Sequence, residues 1–216
     1  MTITTPNLPP FLEEDDNFLA LALQAQLSET VLEEKHFKNL QFSGEDFSRI
    51  DFQTIIFENC RFDHCTFYKS NFIDLQFSHC DLSNSNFTES YFNRCRYDDV
   101  KAIGANFSQI TANHLFFAAC NLKYVNFDES KLSFIHFGQT TLEQGNLQSC
   151  KLKSVAFDEC TLNGVNCFKT TLKGLDLTTC LIDGLSVSDD FRELKGVKVN
   201  ALQAVELAKL LGVVVK

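Results

Sequence analysis

The chain has 216 residues, 44% apolar and 22% charged, with 22 Phe, one Met, three Pro and no Trp. That is apolar enough for a packed core and excludes general disorder, and the skew towards Phe implies one structural position filled many times. The formal charge is −9, with 17 Asp and Glu against 7 Lys and Arg in residues 1–100, and 11 against 12 in residues 101–216; this balance argues against direct nucleic-acid binding.

The opening "MTITTPNLPP" lacks the basic region and apolar run of a secretory signal, and no stretch reaches the roughly 18 apolar residues of a membrane span, so a cytoplasmic protein is expected. Nine cysteines in a reducing compartment are then not expected to pair as disulfides. Residues 1–24, with "PNLPP", the acidic run "EEDD" and "FLALAL", follow no repeat and are predicted to form an N-terminal cap.

From about residue 25 to residue 190 the chain divides into fives: AQLSE TVLEE KHFKN LQFSG EDFSR IDFQT IIFEN CRFDH CTFYK. From position 37 to position 187 the third residue of each unit is Phe at 16 of 31 positions and Leu at nine, without one insertion or deletion. The first residue is small or apolar and the other three are mostly polar. A period of five fits neither the 3.6 of a helix nor the 2.0 of a strand, so the chain must turn at every unit. Four sides per coil would stack residues 20 apart, as in other solenoids. The sequence agrees: Phe37, Phe57, Phe77, Tyr97, Phe117, Phe137 and Phe157 form one aromatic column, and Asn86, Asn106, Asn126, Asn146 and Asn166 another, suited to amides bonding from rung to rung. Ala102 and Ala112, in central positions, are expected to thin the core and bulge the wall.

These units resemble those of pentapeptide-repeat proteins, in which a small residue, a polar one and Leu or Phe precede two variable positions. The resemblance implies an all-β solenoid, a right-handed quadrilateral β-helix, here of about eight coils with no inserted loops.

The stretch "CRFDHCTFYK" looks like a ligand cluster but is two adjacent units. Eight cysteines (Cys60, Cys65, Cys80, Cys95, Cys120, Cys150, Cys160, Cys180) occupy the small inward position and Cys167 a central one, whereas His36, His64, His79, His114 and His136 occupy outward positions. No metal site, cofactor site or Cys-His catalytic pair is expected. Nor is there a P-loop, GxGxxG or HExxH motif. Acidic pairs such as Asp98-Asp99, Asp128-Glu129 and Asp158-Glu159 lie on convex walls with no loop to enclose a substrate.

Outward charge differs by wall between residues 36 and 189. The wall containing Phe37 and Phe57 sums to −4, with Asp98, Asp99, Asp158, Glu159 and Asp176 among its acids. The wall containing Phe52 and Phe72 sums to +3, from Asp51 and Asp74 against Arg94, Lys131, Lys151, Lys153 and Lys173. Phe116, Phe134 and Phe168 point outward.

Residues 191–216 are predicted to form a C-terminal helix and tail, with Asn200 at the N-cap, Gln203 completing a capping box and Gly212 just past the end. Leu202, Val205, Leu207, Leu210, Leu211 and Val213 cover more than one face, with Gln203, Glu206 and Lys209 in a polar stripe; one face would cap the last coil and another would form a two-fold dimer. The segment "LKGVKVNALQAVELAKLLGVVV" resembles the C-terminal segment of Qnr-type pentapeptide proteins, which protect DNA gyrase and topoisomerase IV from fluoroquinolones, especially the loop-free chromosomal versions of Gram-positive bacteria. That resemblance implies a non-enzymatic DNA-mimic homodimer whose acidic surface faces the topoisomerase. The alternatives are an interaction scaffold with another partner and, more remotely, an enzyme; β-helical acyltransferases have hexapeptide repeats, a protruding loop and an active-site His, and this chain has neither the repeat nor the loop.

Overall fold

The computed structural model describes residues 2–214. In chain order its elements are β1 (Glu13–Glu14), α1 (Phe18–Ser28), β2 (Val31–Lys38), β3 (Gln41–Ser43), β4 (Asp51–Glu58), β5 (Arg61–Asp63), β6 (Asn71–Ser78), β7 (Tyr91–Asp98), β8 (Thr111–Ala118), β9 (Lys131–Gly138), β10 (Lys151–Asp158), a 3-10 turn at Arg192–Leu194 and α2 (Ala201–Leu210). The seven eight-residue strands stack in parallel in the order β2-β4-β6-β7-β8-β9-β10, with β1 added beside β2. Their register is 20 residues, as in Phe57↔Phe77 and Tyr97↔Phe117. Each long strand spans two walls of the coil; the other two walls are held by isolated parallel bridges such as Asn86↔Asn106 and Asp81↔Lys101. The result is a parallel β-solenoid in which about seven turns carry the long strand. The sequence count of eight includes a last turn, residues 171–187, that makes only bridges.

The turn at each unit comes from its fifth residue. From Glu34 to Gly174 every fifth residue has positive φ, near 50–61° in non-glycine residues such as Gln139 and Lys169. This left-handed conformation costs about 1–2 kcal/mol for an L-residue other than glycine. The parallel ladder and the core must outweigh that cost at nearly every corner. Asn39, Asn59 and Asn84 suit the position, whereas Thr54 is β-branched at φ 54°.

Inside, the first and third residues of each unit pack together. The column from Phe37 to Phe157 is an offset ring stack with centroids 5.5 Å apart at Phe37–Phe57, 4.6 Å at Tyr97–Phe117 and 4.9 Å at Phe137–Phe157. Ala102 and Ala112 are fully buried, and β8 keeps its register with Phe92↔Ala112↔Leu132, so the wall does not bulge. The backbone ladder, rather than side-chain volume, sets the rung there. The Asn column is also different from the rung-to-rung ladder that its spacing suggests. Asn166 Nδ2 does donate to Asn146 Oδ1 (3.2 Å), but Asn86, Asn106, Asn126 and Asn166 turn their Oδ1 to the N–H two residues on, within their own unit. A short local turn outcompetes the longer reach.

Both ends of the core are covered. Residues 18–28 are helical, so the solenoid strands start at Val31 and not at residue 25; Leu27, at a central repeat position by count, is 85% exposed on α1. Phe18 descends from α1 onto the coil axis. Its ring lies 5.0 Å from Phe37 and Phe47, 5.4 Å from Phe42, 5.5 Å from Phe57 and Phe62, and 6.3 Å from Phe52. At the other end residues 191–199 do not belong with the tail. They run along the last turn, with Leu172 N–H donating to the Glu193 carbonyl, Leu177 N–H to the Lys198 carbonyl, and an Asp176↔Lys198 bridge.

Candidate interaction surfaces

The residues of "CRFDHCTFYK" separate as a turning coil requires. Cys60 and Cys65 are buried, and their thiols face the carbonyls of Phe37 (3.5 Å) and Asp63 (3.7 Å), while His64 is outside with Nδ1 2.9 Å from Asp63 Oδ1. Among the described residues no group of three or more His, Cys, Asp or Glu is gathered closely enough to hold a metal ion. The inward cysteines share one bonding rule with inward Ser and Thr. Except at Cys65 and Thr140, which bond the carbonyl two residues earlier, they point the S–H or O–H at the carbonyl of the central residue 23 positions earlier, as in Cys80 to Phe57 (3.4 Å), Cys95 to Phe72 (3.4 Å), Cys150 to Phe127 (3.0 Å), Ser90 to Phe67 (2.7 Å), Ser130 to Phe107 (2.9 Å) and Thr170 to Leu147. Burial pushes the Cys150 thiol up to about 11 and those of Cys95, Cys120 and Cys167 up to about 12.

The acidic candidates do not form one cluster. Asp98-Asp99 and Asp158-Glu159 occupy the same edge of the Phe57 wall but are three turns apart, about 14 Å at the spacing of a parallel sheet. Between them lie Ala118, Ala119, Gly138 and Gln139. Asp98 accepts from Arg96 (2.6 Å), which partly neutralises the first pair, and Asp99 Oδ2 lies 2.9 Å from His79 Nδ1. Asp158 and Glu159 have no cationic partner within ion-pair distance among the described residues; Glu159 accepts from Gln139 (2.9 Å). Asp176 accepts from the Thr178 hydroxyl (2.7 Å) and N–H (3.1 Å), which holds its carboxyl below the usual range.

At the C-terminal end the capping box of α2 is complete: Asn200 Oδ1 accepts from Gln203 N–H (3.0 Å) and Gln203 Oε1 from Asn200 N–H (2.8 Å). Gln203 is nevertheless buried rather than part of an exposed stripe. Its Nε2 donates to the carbonyls of Leu177 and Cys180, both at 2.6 Å, and so closes the last turn. The apolar side chains are left further out. Leu202 is 81% and Leu211 63% exposed, Val213 is exposed, and Val205, Leu207 and Leu210 are half-buried. Phe191, Leu194, Val199, Leu207 and Leu211 line a groove of about 260 Å³ beside the helix.

One feature had no repeat signal to announce it. Residues 2–12 run as an extended arm along the corner between two walls, with Asn7 N–H donating to Asp74 Oδ1 (2.8 Å) and Thr4 N–H to His114 Nδ1 (3.2 Å). The two anchors are two turns apart, which three extended residues span at about 3.3 Å each. Arg94 grips the same Asp74 through two bonds of 2.6 Å. Burial raises the Asp74 carboxyl, but Arg94 and the Asn7 N–H outweigh it and hold it below the usual range.

Three family models match along the chain: a pentapeptide repeat region over residues 90–167, pentapeptide repeats in nine copies over 37–81, and pentapeptide repeats in eight copies over 70–109. Comparison with curated proteins finds no match. Among solved structures, a trypsin-treated variant of QnrB1, described as a plasmid-mediated fluoroquinolone resistance protein, is 25% identical, with 86% of this chain and 89% of that one covered and a TM-score of 0.44. Full-length QnrB1 is 20% identical over 93% and 95%, with a TM-score of 0.30. HetL, a pentapeptide repeat protein involved in heterocyst differentiation regulation from the cyanobacterium Nostoc sp., is 16% identical over 81% and 94%, with a TM-score of 0.31. Consecutive family matches from residue 37 to residue 167, over a coil that turns once in every five residues, place the chain in the pentapeptide-repeat family.

Proposed function

We propose that the chain acts by binding, without catalysis, as a homodimeric rod that engages DNA gyrase or topoisomerase IV in place of DNA and protects it from fluoroquinolones. The observation that carries this reading is the C-terminal end. The tail resembles that of Qnr-type proteins in sequence, and α2 uses a polar residue, Gln203, to fasten itself to the last turn while Leu202, Leu211 and Val213 face outward. An end-to-end dimer through these residues would bury them and double the length of the rod. Asp98, Asp99, Asp158, Glu159 and Asp176 form the proposed topoisomerase-facing surface. Their spacing makes the mimicry sparse, since duplex DNA carries one charge per about 1.7 Å.

The test is a gyrase supercoiling assay with and without ciprofloxacin. Protection, or inhibition at higher concentration, supports the reading; neither effect would leave an interaction scaffold with a different partner as the better description. Reversing Asp158 and Glu159 to Lys should weaken gyrase binding, and unchanged binding would remove this wall from the proposal. Sedimentation of Leu202→Glu/Leu211→Glu should show half the parental mass if α2 is the dimer interface.

A further inference from the structure

The ladder of backbone bonds is interrupted once along the rod. Between β10 and residues 171–178 there is no strand pairing, no bridge and no backbone hydrogen bond, although bonds resume on the other two walls, as in Leu162 N–H to the Leu181 carbonyl and Ser149 N–H to the Phe168 carbonyl. The cause is local. Residues 171–178 adopt the tight bridge-and-turn form of those other two walls, so they cannot pair with an eight-residue strand. Their N–H groups at Leu172, Gly174 and Leu177 donate to the closing segment above, as the equivalent groups do in other turns, but the Thr171 and Asp176 N–H groups do not make the bonds to the turn below that Leu181 and Ser186 make to Cys160 and Val165. β10 therefore presents a free strand edge across two walls, and shallow clefts of about 520 Å³ and 430 Å³ lie along it, one on each wall.

The charge around the first cleft is unusual for this molecule. Every Lys and Arg between residues 35 and 123 except Arg49 makes an ion pair, whereas Lys131, Lys151, Lys153, Lys169, Lys173 and Lys195 make none among the described residues. Lys131 and Lys151 are direct register partners, a like-charge pair that destabilises a sheet unless something compensates it. Between Lys151 and Lys153 the central Leu152 is only half-buried, unlike Leu132 and Leu172 in the turns on either side. Lysines alone could guard an edge against aggregation. Here, however, they extend beyond the edge strand to β9 and to the neighbouring wall.

We propose that this seam takes an extended, acidic segment of a partner protein as a strand added along β10. The free edge supplies the main-chain bonds. Lys151 and Lys153, about 6.6 Å apart on one side of the strand, match carboxylates at alternate residues of an extended peptide. The exposed part of Leu152 gives the segment an apolar contact that a bare phosphate chain would not use. The lysines line the cleft on one wall, whereas Asp158 and Asp176 of the surface proposed to face the topoisomerase line the cleft on the next, so the two sites adjoin and the acidic segment is placed over the Lys151–Lys153 half of β10.

The probe is a fluorescein-labelled (Glu-Val)4 peptide, with (Lys-Val)4 as the charge-reversed control, titrated against the full chain at low and at physiological salt. The acidic probe should bind more tightly, weaken with salt and slow amide exchange in residues 151–154. Lys151→Glu/Lys153→Glu/Lys173→Glu should reduce its affinity about tenfold, the sum expected of three exposed ion pairs, while Asp98→Asn/Asp99→Asn leaves it unchanged. A thermal melt verifies that the triple variant is folded. Equal binding of the two peptides, protection outside β10, or no binding at all would overturn the proposal. So would displacement by a short DNA duplex acting through the same lysines, which would make the surface a reader of phosphate.

Discussion

At the residue scale, the fold rests on side chains whose jobs differ from what their type suggests. Phe18 is not a repeat residue, yet its ring touches the aromatic lining of the first two turns on the axis itself. Phe18→Ala should cost about 3–5 kcal/mol in denaturant melts, as for a large buried aromatic; a loss below about 1 kcal/mol would mean that α1 is not a structural plug. Thr54 makes the opposite case. It holds a left-handed corner that its branched side chain disfavours, so Thr54→Gly should stabilise by about 0.5–1 kcal/mol after allowing for glycine's extra unfolded-state entropy. The third-position Phe and Leu were legible in the sequence because one period places them all. The thiol-to-carbonyl bonds were not, since the acceptor lies 23 residues earlier and only the closed coil brings it near.

Among the elements, α1 shows where a five-residue register misleads. "AQLSE TVLEE" fits the repeat by count, but Ala22 and Ala25 share a helical face that packs on the core, and that burial decides the conformation of residues 18–28. Gln203 carried a correct capping-box signal; its second role, at the carbonyls of Leu177 and Cys180, depends on where the last turn ends. The arm has two titratable anchors, the His114 imidazole at Thr4 and the Asp74 carboxylate at Asn7. Because the folded Asp74 carboxyl sits below its unfolded value, its contribution is present above about pH 4 and is lost as pH falls further. Amide protection at Asn7, which donates to Asp74, should therefore drop on acidification ahead of the core strands. Asp74→Ala should produce the same loss at neutral pH with the solenoid intact.

For the whole molecule, the many buried thiols make the rod sensitive to alkali. Thiols at Cys95, Cys120, Cys150 and Cys167 are pushed up on folding, so the unfolded chain releases their protons first. Their contribution is complete below the unfolded value near 8.5 and is lost as pH rises towards 11–12, at up to about 1.4 kcal/mol per pH unit for each thiol. The urea midpoint should fall between pH 8 and pH 10, and combined Cys→Ser replacement at 95, 120 and 150 should flatten that fall while keeping the donor that inward Ser supplies elsewhere. The solenoid as a whole was readable because a single rule repeats without a gap. The open seam beside β10 was not, because residues 171–178 obey the same sequence rule while adopting the other wall's turn.

The unbroken register also makes the rod a kind of protractor. Removing 20 residues, for instance 101–120, would shorten it by one storey and leave every later side chain facing its original compass direction. Removing five, such as 101–105, would keep the hydrophobic pattern and swing everything after the cut through a quarter turn, carrying the lysine-rich face to where a different wall had been. A pair of such deletions would separate the contribution of distance from that of direction in whatever this surface binds.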